Sequence, residues 1–238
     1  MGKEFKISRE VELSATPEQV FAAVTTGTAG WMFPIEVPPA AGDGGGPGAP
    51  TVTANPPGEF SVRVEGPDGW FNALEYLIEA RAGGTAVLRY VHAGIFADDW
   101  DSQYDGVSLH TDFYLHTLGQ YLKYFDARPV TYLAAAGPAA SARPDAMDQL
   151  RTALGLGADA APGDQVRLDL PGGEPVDAVV DHLTPQFVGL RGSDALYRFF
   201  GRNAFGGTVD LAHHVFAVGV DQEKAGDAWQ SWLESVYA

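Results

Sequence analysis

Residue types that could carry hydrolytic chemistry cluster at Ser108, His110 and Asp112. A nucleophilic hydroxyl, an imidazole base and a carboxylate that orients the base together make a catalytic triad. The surrounding segment is predicted to be helical, and side chains two positions apart on a helix differ in direction by about 200°. The three groups therefore cannot converge on one substrate, and the sequence predicts no catalytic centre.

The histidines of the chain show no spacing typical of metal ligands. His110 and His116 are six positions apart on the same predicted helix and face different ways. His213 and His214 are neighbours on a predicted strand, where adjacent side chains point to opposite faces of the sheet. The chain also contains no cysteine, which excludes thiolate nucleophiles and cysteine-bound zinc. The sequence predicts no metal site.

Three aspartates, Asp98, Asp99 and Asp101, precede the first long predicted helix. Carboxylates at this position are stabilised by the positive end of the helix dipole. The further oxygen ligands and the turn glycine of a calcium-binding loop are missing from this segment. The chain has no phosphate-binding loop and no dinucleotide fingerprint, and the glycines at 44–46 do not join a strand to a helix. We therefore expect helix capping by the aspartates and no cofactor.

Aromatic side chains and one histidine in the first half could surround a mostly apolar space with a few polar groups, which is the usual composition of a small-molecule pocket. His92 shares a strand face with Leu88 and Tyr90 and is predicted to project inward. Ordinary core packing, with each hydroxyl hydrogen-bonded, is the alternative interpretation of these residues. The predicted ligand-binding residues are Trp31, Phe33, Phe71, Tyr76, Tyr90, His92, Phe96, Trp100 and Tyr104.

Two halves of the chain repeat one order of predicted elements, and these elements must position the aromatic residues. In the first half a strand at 5–13 precedes a helix that Thr16 can cap, with Gln19 completing a capping box. In the second half a strand at 130–136 precedes a short helix that opens after Pro144. The repeated order predicts two similar units.

The strands that follow alternate apolar and polar residues with a period of two. The runs 60–65, 166–170 and 176–181 each place apolar side chains on one face and charged or polar side chains on the other. Both halves also contain a Gly-Gly-Thr hairpin signal, at 83–85 and at 206–208. Each sheet is therefore predicted to have one buried face and one solvated face.

Each half ends with a long helical pattern that carries an apolar stripe. Such a stripe must be buried, and the apolar face of its own sheet is the nearest partner. Asp221 is a candidate N-cap for the second of these helices. The stripe of the first helix is Tyr114, Leu118, Tyr121, Leu122 and Phe125, and the stripe of the second is Ala225, Ala228, Trp229, Trp232, Leu233 and Val236.

The boundary between the halves falls at 127–129, directly after the first long helix. This boundary predicts one domain at 1–127 and a second at 128–238. The segment 38–50 is rich in glycine, proline and alanine and is predicted to form a loop inside the first domain.

Composition excludes several classes of partner. The chain of 238 residues has a formal net charge of -16, so nucleic acid and anionic membrane surfaces would be repelled. No apolar run approaches the length of a membrane span, and the charged N-terminal residues do not resemble a signal peptide. We therefore expect a cytoplasmic protein.

The order of strand, short helix, antiparallel strands and long C-terminal helix resembles the helix-grip arrangement of the START-like, or SRPBCC, superfamily. Residues 5–126 are similar to its Activator of Hsp90 ATPase homologue-like branch, through 11–21, Trp31, 83–94 and Trp100. The second half resembles a diverged, shorter copy. The resemblance implies an α+β protein with two tandem helix-grip units, each a curved antiparallel sheet packed on a long C-terminal helix.

The resemblance leaves the function open, because the superfamily includes lipid carriers, hormone receptors, polyketide cyclases and co-chaperones. The first hypothesis is that the first unit binds a hydrophobic or amphipathic small molecule in a sheet-helix cavity, without catalysis, while the second unit supports it. A co-chaperone of the Hsp90 type, acting through an outer surface, is an alternative. Another is an enzyme resembling polyketide aromatase/cyclases, in which His92 and Tyr76 act as acid or base.

Overall fold

The computed structural model describes residues 2–35, 48–96 and 100–238. The chain divides into two compact units, Met1–Ala127 and Arg128–Ala238. Each unit holds one antiparallel sheet followed by a helix at its C-terminal end. The predicted α+β class with two tandem helix-grip units is therefore confirmed.

Two predictions from the sequence concern residues that the structure does not describe. Asp98 and Asp99 lie outside the described residues, and so do positions 38–47 of the glycine-rich segment. Among the described helices, none combines the length and the hydrophobicity that crossing a bilayer requires.

The first unit contains five strands and two α-helices. These are β1 (Lys3–Leu13), α1 (Pro17–Thr25), β2 (Thr51–Asn55), β3 (Glu59–Glu65), β4 (Phe71–Arg81), β5 (Thr85–Phe96) and α2 (Trp100–Tyr124). The strands form one antiparallel sheet in the order β1-β5-β4-β3-β2. The predicted capping box starts α1: the Thr16 hydroxyl accepts the N–H of Gln19 at 3.4 Å, and the Gln19 side-chain oxygen accepts the N–H of Thr16 at 2.9 Å.

The helix α2 buries its apolar stripe in the first unit. Leu118, Tyr121 and Leu122 are buried, as is Phe125 directly after the helix. The helix packs against β1, and the Arg9 side chain of β1 bonds to α2 as described below. The predicted packing of a terminal helix on the sheet of its own unit is confirmed here.

The second unit contains six strands and two α-helices. These are β6 (Thr131–Ala136), α3 (Ala146–Ala153), β7 (Gln165–Leu168), β8 (Val176–Leu183), β9 (Phe187–Arg191), β10 (Ala195–Gly201), β11 (Val209–Val215) and α4 (Gln222–Val236). The sheet order is β6-β11-β10-β9-β8-β7. The Asp221 carboxylate accepts the N–H of Lys224 at 3.1 Å, which confirms the predicted N-cap of α4. Trp229 and Leu233 are buried in the core, and Trp232 packs against it.

An ion pair crosses strand β9 on the face of the second sheet that points away from α4. Arg198 of β10 donates from Nη1 to Oδ2 of Asp181 in β8 at 3.0 Å, and their side chains are 0% and 4% exposed. Asp181 occupies a bulge between Val180 and His182. The intervening strand β9 carries Gly189 at the crossing, where an added Cβ would stand 2.6 Å from Oδ1 of Asp181 and 3.0 Å from Nη1 of Arg198. A glycine is therefore required there.

The prediction of a solvated outer face is wrong for this part of the second sheet. Leu196, Phe200 and His214 are buried on the same face as the ion pair. Buried charges persist only when they are paired and hydrogen-bonded. Arg198 meets this condition, because it also donates to the carbonyl oxygens of Leu190 at 3.3 Å and Tyr197 at 3.2 Å.

Gly189→Ala should lower the free energy of unfolding of the second unit by about 1–3 kcal/mol, because the new methyl group would displace the ion pair. Amide hydrogen exchange in β8, β9 and β10, measured by mass spectrometry, checks this value. Gly226→Ala on α4 is the matched control: a Cβ there meets nothing within 4 Å, so we expect a gain of about 0.5–1 kcal/mol from helix propensity. Equal effects of the two substitutions would contradict the crowding at Gly189.

Candidate functional site

A cavity of about 490 Å³ lies between the sheet and α4 of the second unit. Strands β6, β8, β10 and β11 supply one wall, α4 supplies the other, and the loops before β8, β10 and α4 close the edges. The lining is mostly apolar. Its apolar side chains include Leu133, Val176, Ala195, Val215, Ala228 and Trp229.

Small residues on α4 leave this space open. Helix stripes that face a sheet usually carry large apolar side chains. Here Ala225 and Ala228 occupy the part of the stripe that faces the cavity, and Ala195 lines it from the sheet. The same face of α4 becomes bulky one turn after Ala225, at Trp229, which is 5% exposed. The cavity therefore ends where the helix resumes tight packing.

Aromatic rings close the cavity at Trp229. The ring centroids of Trp229 and His213 lie 4.4 Å apart in an edge-to-face arrangement, and those of Trp229 and Tyr197 lie 5.9 Å apart. Tyr197 and Trp229 line the cavity, whereas His213 is fully buried behind them. Burial lowers the pKa of His213 to about 3, so its imidazole is neutral at physiological pH. His213 is a core histidine in this arrangement.

The cavity also has a small set of polar groups. Tyr197 is 6% exposed, and its hydroxyl makes no hydrogen bond within the part of the chain that the structure describes. Burial, together with the nearby Asp194 carboxylate, raises the pKa of Tyr197 to about 12. The phenol therefore keeps its proton and remains a hydrogen-bond donor.

The two lining carboxylates already have partners. Asp194 accepts a hydrogen bond from Nη2 of Arg128 at 2.5 Å and another from the Ser193 hydroxyl at 3.0 Å, and both lower its pKa. Asp221 caps α4. The exposed Lys224, in the first turn of α4, also lines the cavity, and its ammonium makes no ion pair with any described residue.

The loop before β8 supplies one edge of the opening through Pro171, Gly172 and Gly173. Gly172 has a φ of 69°, in the left-handed region that glycine adopts without strain. The N–H of Gly173 donates to the carbonyl oxygen of Leu170 at 3.1 Å, which closes the turn. This turn places backbone, rather than bulky side chains, at the edge of the cavity.

In the first unit, the structure brings together some of the aromatic residues predicted from the sequence. Tyr76, Tyr90 and His92 share the inner face of the sheet, with ring centroids 5.3 Å apart for the two tyrosines and 6.5 Å apart for Tyr90 and His92. Phe5 continues the row, because its ring lies 5.0 Å from His92 and stacks at 4.0 Å on Phe96. These rings contact one another over β1, β4 and β5.

His92 of this row carries a polar contact. Its Nε2 lies 2.8 Å from Oδ1 of Asn72, and burial lowers its pKa to about 4. Burial also raises the pKa of Tyr90 to about 12 and raises that of Tyr76 further. At neutral pH all three rings are uncharged, which suits a binding surface or a packed core.

The remaining predicted residues lie elsewhere in the first unit. Trp31 is buried and donates from Nε1 to the carbonyl oxygen of Ala23 at 2.9 Å. Trp100 and Tyr104 stack at 4.8 Å at the start of α2. Phe33 is 46% exposed. Phe71 lies on the opposite face of the sheet, where the Arg63 guanidinium sits 4.2 Å from its ring centroid.

Ser108 and Asp112, one helical turn apart, share Arg9 as a partner, whereas His110 bonds elsewhere, so the three do not form a triad. Nε of Arg9 donates to Oδ1 of Asp112 at 2.5 Å, and Nη2 of Arg9 donates to the Ser108 hydroxyl at 2.8 Å. Nδ1 of His110 lies 2.7 Å from the carbonyl oxygen of Gly106. Within residues 2–35, 48–96 and 100–238, no group of three or more histidine, aspartate or glutamate side chains is arranged to hold a metal ion.

The sequence analysis missed Tyr197, Asp194 and Lys224 as candidate site residues. Tyr197 lies in the run 195–200, whose apolar residues fall on both strand faces and show no alternation, and Lys224 has the appearance of an ordinary surface lysine. One feature of the sequence does indicate the cavity. The alanines 225 and 228 within an otherwise large apolar stripe indicate a place where α4 cannot fill the space above its sheet.

Comparison with known proteins gives structural neighbours. No family model matches the chain, and no curated protein matches it. A crystal structure of protein MLL2253 from Mesorhizobium loti is 21% identical, with 51% of this chain and 99% of that chain covered and a TM-score of 0.41. The Aha1 dimer from Colwellia psychrerythraea is 18% identical, with 50% and 96% covered and a TM-score of 0.38.

Other neighbours cover almost the whole chain. The di-domain ARO/CYC BexL from the BE-7585A biosynthetic pathway is 13% identical to this chain, with 98% of each chain covered and a TM-score of 0.41. At these identities and TM-scores, the neighbours give this chain neither a substrate nor an activity.

Proposed function

We propose that this protein binds a hydrophobic or amphipathic small molecule in the cavity beneath α4 of the second unit. The observation that supports the proposal is the cavity itself, about 490 Å³ with a mostly apolar lining and a few polar groups. Small-molecule sites are typically clefts of about 300–1,000 Å³ with this composition. Burial of the apolar part of a ligand against Trp229, Val215 and Ala228 would supply most of the affinity.

Binding without catalysis fits the chemistry of the lining better than turnover does. No histidine lines the cavity, and the Ser193 hydroxyl donates to the carboxylate of Asp194, whose lowered pKa makes it a weak base for activating a nucleophile. The buried Tyr197 holds its proton up to a pH of about 12. These groups can orient a ligand by hydrogen bonds.

The sequence predicted the ligand in the first unit, and that placement stays a prediction. Tyr76, Tyr90 and His92 form a continuous inner surface there. In the second unit a mostly apolar cavity of suitable volume is lined by described residues, and for that reason we place the proposed site under α4.

Straight-chain alcohols provide a direct test with the full chain. Isothermal titration calorimetry with octanol, decanol and dodecanol should show affinity that rises about fourfold for each added methylene group, because burying one contributes about 0.8 kcal/mol, until the cavity is full. Bound ligand should also raise the melting temperature by mass action. Absence of both effects for every alcohol would overturn the proposal.

Ala228→Phe should abolish this binding, because the new ring would occupy the cavity from α4. We expect affinity for decanol to fall at least tenfold, to the limit of calorimetric detection, while the melting temperature without ligand stays the same or rises as the void is filled. Ser231→Phe adds the same ring to an exposed position of the same helix and should leave binding unchanged. Unchanged affinity in Ala228→Phe would place the ligand elsewhere.

The same variant separates the proposal from its main alternative. A co-chaperone role would use an outer surface, so capture of Hsp90 by the full chain should be insensitive to Ala228→Phe. The likeness to an Aha1 dimer motivates this comparison. Capture that survives Ala228→Phe, with no alcohol bound by the unmodified protein, would favour the interaction role.

A further inference from the structure

We infer that the ligand of the second-unit cavity is an amphipathic acid: its apolar body fills the space beneath α4, and its carboxylate is held by the Lys224 ammonium and the Tyr197 hydroxyl. This inference rests on the proposed function and adds the chemical class of the ligand. Both side chains line the same cavity.

The charges around the cavity favour an anion. Three ionic side chains line it, Asp194, Asp221 and Lys224. Asp194 is paired with Arg128 at 2.5 Å, and Asp221 accepts the N–H of Lys224 as the helix cap at 3.1 Å. The Lys224 ammonium has no such partner among the described residues. Both carboxylates are therefore held by groups of the protein, and the Lys224 ammonium is the lining charge that a ligand can pair with.

The Tyr197 hydroxyl indicates an acceptor on the ligand. This side chain is 6% exposed and lines the cavity, and within the described chain its hydroxyl has no hydrogen-bond partner. A ligand in the cavity would shield this hydroxyl from water, and leaving it unpaired there is costly, so a ligand that accepts its proton gains affinity. Because burial keeps the phenol protonated, Tyr197 acts as a donor throughout the physiological range.

The position of Lys224 strengthens the same preference. It lies in the first turn of α4, a helix of 15 residues, where the helix dipole places partial positive charge. An alkylamine would meet this charge and find both carboxylates occupied. An alcohol could accept a hydrogen bond from Tyr197 but carries no charge to pair with Lys224. A carboxylate is the head group that satisfies both side chains at once.

Three ligands with the same alkyl chain test the inference on the full chain: decanoate, decanol and decylamine, each titrated by calorimetry below its micelle concentration. We expect decanoate to bind about tenfold more tightly than decanol, as a charge-assisted hydrogen bond allows, and decylamine to bind most weakly. Lys224→Met should remove the advantage of decanoate over decanol and leave decanol binding unchanged. Tyr197→Phe should weaken decanoate about tenfold.

Lys123→Met is the control for net charge, because it removes an exposed lysine from the first unit, and it should leave all three affinities unchanged. Equal binding of decanoate and decanol, or a decanoate advantage that survives Lys224→Met, would overturn the acidic head group and leave the proposed function standing. Tightest binding of decylamine would also overturn it. Failure of all three ligands to bind would overturn the proposed function itself. Near-ultraviolet circular dichroism checks that each variant is folded.

Discussion

Replacing Trp229 with alanine should destabilise the second unit by about 3–5 kcal/mol, the range for deleting a large aromatic side chain from a core. Trp229 contacts His213 at 4.4 Å, Phe199 at 6.2 Å and Trp232 at 5.3 Å between ring centroids. Its removal would join a new void to the existing cavity, and the strands around it could collapse only partly. The cost should therefore fall in the upper part of the range.

Hydrogen exchange measured by mass spectrometry resolves this loss by unit. Amide protection in β10 and β11 should fall roughly 150- to 5,000-fold, where exchange occurs through unfolding of the unit. Trp70→Ala, in the first unit and 39% exposed, should leave these strands unaffected. Unchanged protection in Trp229→Ala would mean that α4 does not hold the second sheet through this residue.

Removing one member of the buried ion pair should cost about 3–5 kcal/mol, because the other charge is left without its partner away from water. In Asp181→Leu, the Arg198 guanidinium stays buried but loses this carboxylate. Burial already lowers the pKa of Arg198, and Asp181 opposes that shift. Hydrogen exchange in β8, β9 and β10 is again the measurement. Arg198→Met should have a comparable effect, because the buried Asp181 carboxylate then loses its ion pair with Arg198.

The double variant Asp181→Leu/Arg198→Met separates charge from packing. The apolar replacements remove both charges together, so we expect stability to return to within about 1 kcal/mol of the unmodified chain, or to exceed it. Additive losses in the double variant would show that the two side chains act independently, which contradicts the pairing seen in the structure.

Local signals in the sequence predict those parts of the fold that depend on neighbouring residues. The capping box at Thr16 and the cap at Asp221 each join atoms three residues apart. The hairpin signal at 83–85 is also local: Gly83 and Gly84 both have positive φ, at 81° and 76°. The stripes of α2 and α4 follow from helical periodicity alone.

Features that depend on long-range packing could not be predicted in this way. The strands at 187–191 and 195–201 lie almost entirely in the interior on both faces, so they lack the alternation that identifies a half-buried strand. The pairing of Asp181 with Arg198 joins residues 17 positions apart across an intervening strand. Read locally, Asp181 is simply the polar member of an alternating run.

The candidate site illustrates the same limit. The cluster of aromatic residues in the sequence predicts a site in the first unit. The ring centroids of Tyr76 and Tyr90 lie 5.3 Å apart there. A cavity, in contrast, is not marked by any single residue type in the sequence. It arises under α4 because small side chains at 225 and 228 face the small Ala195 across the layer, and that coincidence appears only once the chain is folded.

The ion pair of Asp181 and Arg198, which passes over Gly189, also specifies the register of strands β8, β9 and β10. A register shift of β8 or β10 by one residue relative to β9 would turn Asp181 or Arg198 to the other face of the sheet. It would also replace Gly189 at the crossing by a larger residue. The same shift would turn Val176 or Tyr197 out of the cavity beneath α4. A misaligned sheet would thus separate the two charges on one face and lose the lining of the cavity on the other.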